Sequence, residues 1–127
     1  MHRHGLDEAV SIAGASYSEE AGYQAGRELL DRPGRPTAIF AGAGFAALGV
    51  LRAAYELGLR IPADLSLVGY DNSTLAASAP TNLTSVDQAA RDGRPLLCER
   101  LDGRSRSVLT STAPQLIVRG TTGPPPP

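Results

Sequence analysis

Apolar and polar positions alternate from Ala9 to Ala13, a period of two that predicts a half-buried strand. Gly14 to Ser18 reads as a turn, and beyond it the period lengthens to four. Ala21, Ala25 and Leu29 fall on one face behind Ser18, a hydroxyl suited to cap a helix, while Glu19 and Glu20 put negative charge in its first turn. Pro33-Gly34 ends that helix. Thr37 to Ala41 is a nearly continuous apolar run, as expected of a strand buried on both faces of a parallel sheet. It exits through Gly42-Ala43-Gly44 into a second predicted helix. That helix has Ala47, Leu51, Ala54 and Tyr55 on one side and Gly58 at its C-terminal cap, before Pro62. Leu65 to Tyr70 reads as another buried strand.

The order strand, helix, strand, helix, strand with short loops predicts an α/β domain: a parallel sheet flanked by helices, joined by right-handed crossovers. A short helical piece is expected near Leu75 to Ala79, then Pro80, an extended Leu83 to Val86 and a helical stretch from Asp87 to about Leu101. Pro95 must either kink that stretch or restart it in a first turn. Gln115 to Arg119 reads as a last strand. Residues 1–120 are assigned to one domain and 121–127 to a flexible proline-rich tail.

Composition narrows the function classes. The 12 basic residues, all arginine, stand against 13 acidic ones for a net charge of −1, without the basic stripe of an autonomous nucleic-acid module. The arginines between Arg91 and Arg106 are interleaved with Asp92, Glu99 and Asp102, which suits a solvated face. Cys98 is the only cysteine, in an apolar Leu96-Leu97-Cys98 setting, and His2 and His4 sit at the start of the chain. Neither a catalytic triad nor a zinc site can be assembled, so no catalytic residue, metal or cofactor is expected. No apolar run reaches a membrane span and no secretory signal opens the chain, so the expected location is cytoplasmic, with no membrane partner.

Ligands of open parallel sheets bind beyond the carboxyl ends of the strands. Three loops qualify and should open on one edge: Ala15-Ser16-Tyr17, Gly42-Ala43-Gly44 and Asp71-Asn72-Ser73. Asp71 can accept two hydrogen bonds from ligand hydroxyls or ring nitrogens, or cap the short helix that follows; the two readings weigh equally. Tyr17 can stack on a ring or fill core, and Phe40 by position reads as core. Gly42-Ala43-Gly44-Phe45-Ala46-Ala47 also has the G-x-G-x-x-A form of a dinucleotide fingerprint, which keeps a dinucleotide-binding fragment as a rival. Against it, Asp71 lies 27 positions past Gly44, instead of about 20, and a strand and helix precede the fingerprint.

Arg35 to Ala41, Ala47-Leu48-Gly49, and Gly58 to Asn72, read in this order, strongly resemble LacI/GalR (lactose-repressor-type) transcriptional regulators. Pro80 with Leu83 to Gln88, Leu116 to Pro124, and Ser18 to Tyr23 extend the resemblance over nearly the whole chain. The resemblance implies one lobe, largely the C-terminal one, of a periplasmic-binding-protein-like effector domain. A helix-turn-helix, a hinge and most of a first lobe would precede Met1, and operator DNA would be met only through that helix-turn-helix. It implies a small-molecule effector, such as a sugar or nucleoside, held between two lobes. It also implies a homodimer, with an apolar exposed face on the helix from Ala46 to Leu57. Asp71 matches the family's effector-contacting acid, and Tyr17 and Phe40 match aromatics lining its pocket; Asn72, Ala43 and Gly44 join them as candidate ligand-binding positions. Ala43-Gly44 departs from the family, which commonly has Asn-Asp there. A solute-binding protein of the same fold is the alternative from the transport class.

Overall fold

In a computed structural model, which describes residues 10–14, 16–89 and 93–126, the first helix starts where its cap predicts. Ser18 keeps extended backbone and its Oγ accepts from the Ala21 amide at 3.2 Å, opening α1 (Glu19–Leu30). The strand β1 (Ala38–Phe40) follows, then α2 (Gly44–Glu56). Gly58, at φ 71°, completes the end of α2 as its cap position requires. The chain continues through β2 (Ser66–Tyr70), β3 (Thr84–Asp87), α3 (Arg94–Leu101) and β4 (Gln115–Ile117).

The four strands lie in the order β1-β2-β3-β4. The first three run parallel, with Ile39 beside Leu67 and Gly69 beside Ser85. β4, for which the sequence set no direction, returns antiparallel to β3, so the parallel sheet gains one antiparallel edge strand. Alternation along β1 and β2 separates two faces: Ile39, Leu67 and Gly69 are buried, whereas Ala38 and Phe40 are exposed and Ser66, Val68 and Tyr70 half-buried. The buried face packs with Leu29, Leu30, Ala46, Ala47, Val50, Leu51 and Ala54 of the helices. The absence of a side chain at Gly69 lets Leu83 and Ala47 close over β2; a Cβ there would lie 2.7 Å from Leu83 Cδ2.

The two helices meet almost backbone to backbone. A Cβ on Gly22 would fall 2.7 Å from Ala46 Cα, and one on Gly49 would fall 2.8 Å from the Gly22 carbonyl carbon and closer still to the Glu19 carbonyl oxygen and Tyr23 amide nitrogen. Beside this crossing, Arg52 stacks 4.1 Å over the Tyr23 ring, and both Arg52 and the Tyr23 hydroxyl donate to Glu56. Those bonds hold the Glu56 carboxyl below its ordinary pKa, the tyrosine contributing most, and raise that of Tyr23. In the loop before β2, Asp64 accepts from the Arg60 guanidinium and from the Arg60 amide, which lowers its pKa to about 2.

Several expected elements are corrected. Residues 10–14 form no strand, and Ile12 is 91% exposed. Apolar alternation supplies a face but not a ladder partner, and the segment passes β1 across a cavity instead of bonding to it. Ala9, Ala15, His2, His4 and residues 90–92 lie outside the described residues. The helix expected from Asp87 begins only at Arg94: Asp87 closes β3, and its Oδ1 accepts the Ala89 amide in a turn that puts Ala89 at φ 56°. Pro95 stands in the first turn of α3, as the restart reading required. Leu75 to Ala79 forms turns, not a helix. Tyr55, expected on the buried side of α2, is exposed, as is Cys98, expected in apolar surroundings. The tail does not begin at 121: Thr121 is 4% exposed and bonded to both β2 and β3. Among the described residues no helix is long and apolar enough to cross a membrane.

Candidate functional site

The carboxyl ends of β1 and β2 bring the three predicted loops together. Tyr17, 74% exposed, lies against Gly42, where a Cβ would meet Tyr17 Cε1 at 3.3 Å. Gly44 adjoins the next loop, its Cβ position 3.4 Å from Ser73 Oγ and 3.6 Å from the Tyr70 carbonyl oxygen. At the far end the exposed Asp71 accepts from Gln88 Nε2 at 2.6 Å, which ties the loop after β2 to the end of β3. The loops therefore adjoin one another from Tyr17 to Gln88 along one sheet edge.

Phe40 is not core: it is 60% exposed, on the open face, and meets Tyr70 edge-to-face with centroids 6.2 Å apart. An exposed ring backed by a half-buried one, beside a carboxylate, provides ring surface and polar acceptors together. Ala43, in extended backbone, precedes α2 without a side-chain cap, so the first amides of that helix are not satisfied by its own cap residue. The helix-cap reading of Asp71 goes to a neighbour instead: Ser73 Oγ accepts from the Ala76 amide at 3.4 Å. Asp71 is left for its partner Gln88 and for solvent.

Asn72 faces the protein. Its Nδ2 donates to Asp87 Oδ2 at 2.8 Å, its Oδ1 accepts from Arg119 Nη2 at 2.6 Å, and its amide donates to Ser85 Oγ at 3.1 Å. Gln88 and Arg119 are the polar groups that sequence reasoning did not single out. Gln88 was visible only as part of the Leu83 to Gln88 match, and Arg119 lies in a distant segment that only the fold brings to Asn72.

A cavity of about 620 Å³ opens beside β1, between residues 10–14, Ser16 and Tyr17 on one side and α1 on the other. Tyr17, Phe40 and Gly42 belong to its lining, with Ile39, Leu29 and Val50 farther in, while Asp71, Asn72 and Gly44 do not. The candidate residues thus form a ledge along the strand ends whose aromatic half rims a cavity and whose polar half is open. The Tyr17 ring stands beside the exposed Gly42, the first glycine of the dinucleotide-like loop, where a pyrophosphate would need close backbone approach. Among the described residues no cluster of histidine, cysteine, aspartate or glutamate could hold a metal.

Comparison with known proteins agrees on one family. Residues 1–122 match the family described as periplasmic binding protein-like domain. The chain is similar to the HTH-type transcriptional repressor PurR of Escherichia coli O139:H28, with 44% identity over 77 residues, 61% of this chain and 23% of that protein. Among solved structures it resembles a LacI transcriptional regulator from a Rhodococcus species, at TM-score 0.87 and 32% identity, covering 98% of this chain and 48% of that one. It also resembles a LacI family transcriptional regulator from Enterococcus faecium with bound ribose, at TM-score 0.75 and 27% identity, covering 96% of this chain and 49% of that one. The chain thus spans about a quarter of the curated relative and about half of each solved one. These relatives are transcriptional regulators.

Proposed function

The chain belongs to the periplasmic binding protein-like domain family, in its branch of LacI/GalR-type transcriptional regulators, and from that membership we infer that it is a regulator's effector-binding lobe. The ledge at the strand ends is the half-site: Tyr17 and Phe40 offer ring faces, Asp71 offers a carboxylate to ligand hydroxyls or ring nitrogens, and Ala43 and Gly44 offer backbone. Asn72 braces the ledge. The observation that supports this reading is the adjacency of Tyr17, Gly42, Gly44, Ser73, Asp71 and Gln88 on one sheet edge. The replacement of a polar pair by Ala43-Gly44 shifts the expected contacts from side chains to amides. The ligand class is a sugar or nucleoside, and the regulator acts because the ligand binds one arrangement of lobes better than another. Operator DNA is assigned to a helix-turn-helix, which the described residues do not contain.

The test is a titration of the labelled chain with sugars and nucleosides, including D-ribose, cellobiose and adenosine, followed by NMR. One ligand should perturb Tyr17, Phe40, Asp71 and Gln88 together. Asp71→Asn should weaken it about tenfold or more, the cost of replacing a charged acceptor, with the melting temperature unchanged. Perturbation confined to residues lining the interior of the cavity would overturn the reading.

For the homodimer that the family resemblance implies, we propose α2 as the contact. Phe45 and Tyr55 are exposed, with half-buried Leu48 between them at helical spacing. Sedimentation should show a dimer that Phe45→Glu converts to monomer; a wild-type chain that stays monomeric throughout would remove this assignment.

A further inference from the structure

We propose that Arg119 is the residue that positions the ligand-facing pair Asp71 and Gln88, acting through Asn72; the proposal rests on the effector-binding reading of that edge. Asp71 and Asn72 both adopt left-handed backbone, at φ 76° and 42°, and Ala89 does so across from them at φ 56°. Consecutive residues with side chains adopt that region at a cost, smaller for Asp and Asn than for other types, and bonds from outside the loop hold it there.

The bonds that do so converge on Asn72. Asp87 takes the Asn72 amide group on one carboxylate oxygen and the Ala89 backbone amide on the other, at 2.8 Å each. Gln88 sits between those two anchors and reaches Asp71 at 2.6 Å. The remaining side-chain atom of Asn72, Oδ1, accepts from Arg119 Nη2. Arg119 is itself fixed at two further points: Nη1 donates to the Leu83 carbonyl at 2.6 Å, and its amide donates to Thr84 Oγ1 at 2.8 Å. One planar guanidinium therefore ties the entrance of β3 to the loop after β2, and a lysine, whose donors all sit on one nitrogen, lacks the fork that gives each acceptor its own nitrogen. The segment after β4 thereby sets the orientation of a carboxylate that it does not touch. Any displacement of that segment is transmitted to the ligand edge through two side chains.

The experiment reads the side-chain amides of Asn72 and Gln88 in the labelled full chain without ligand. In Arg119→Met, solvent exchange of the Gln88 side-chain amide should accelerate about tenfold or more, and both amide pairs should move toward free-amide shifts. Arg119→Lys should fall between Arg119→Met and wild type. Thr122→Val, which removes a hydroxyl 3.0 Å from Thr84 Oγ1 without touching Asn72, should leave both pairs in place, although it perturbs the same segment. Unmoved Asn72 and Gln88 amides in folded Arg119→Met, or equal movement in Thr122→Val, would overturn the proposal. If Arg119→Met does not fold, Arg119→Lys is decisive on the same criterion. No effector enters this test, so failure to find a ligand and failure of this brace are separate results.

Discussion

Gly49→Ala should lower the stability of this chain by about 3 kcal/mol or more, at the upper end of overpacking costs, although helix propensity alone points the other way. Alanine inside an exposed helix is worth about 1 kcal/mol more than glycine. At Gly49 the added methyl has no room: it meets the Glu19 carbonyl, the Tyr23 amide nitrogen and, at 2.8 Å, the Gly22 carbonyl carbon. All three are backbone atoms of α1 and cannot turn aside as a side chain would. Relief requires α1 to move off α2, which would uncover Val50 and Ala53, both buried beside Gly26. Steric cost therefore exceeds the propensity gain. Gly26→Ala is the internal comparison, since its methyl would meet Ala53 Cβ at 3.0 Å and Val50 Cα at 3.2 Å, and a small shift accommodates it. Urea unfolding of both variants measures the difference; a Gly49→Ala chain as stable as wild type would refute the close crossing.

That crossing was not legible in the sequence. Ala21, Ala25 and Leu29 predicted the helix and its periodicity, but Gly22 and Gly26 became informative only when α2 placed Ala46 and Gly49 against the first and Val50 and Ala53 against the second. The pattern succeeded where the cause is local. Ser18 caps α1, Pro95 begins α3, and the apolar runs ending at Ala41 and Tyr70 became β1 and β2. It failed where a partner decides. Alternation at Ala9 to Ala13 could not show that β1 leaves the segment unpaired, and Phe40 read as core because sequence cannot reveal that one face of the sheet is uncovered.

The candidate site divides along the same line. Position at a strand end brought Asp71 and the glycine loop to one edge, because in a parallel sheet the strand ends converge by topology, and Tyr17 stands beside them although the strand expected before it does not form. Type and position were not enough for Asn72, whose amide is equally suited to a ligand and to the protein. Its partners, Asp87 and Arg119, are 15 and 47 residues away. Arg119 could not be distinguished from the other eleven arginines by composition or spacing.

Thr121→Val should cost about 2–6 kcal/mol, from two buried groups left without partners at about 1–3 kcal/mol each, against a total of roughly 5–15 kcal/mol for a domain. The Thr121 hydroxyl donates to the Leu67 carbonyl at 2.8 Å and accepts from the Thr84 amide at 2.9 Å, while its own carbonyl accepts from the Leu67 amide at 2.8 Å. It thus closes the gap between β2 and β3 ahead of their first paired residues, Val68 and Thr84. Valine matches the shape but cannot bond, so both backbone groups would remain buried and unpaired. At roughly 4 °C per kcal/mol for a domain of this size, the melting temperature should fall by about 10 °C or more. Thr122→Val, at a half-buried position with one hydroxyl contact, should change it far less. The comparison also decides what the last residues are. A flexible tail makes both substitutions silent, whereas a clasp makes the first severe and leaves the strand ends, with the ledge they carry, dependent on residues at the opposite end of the sheet.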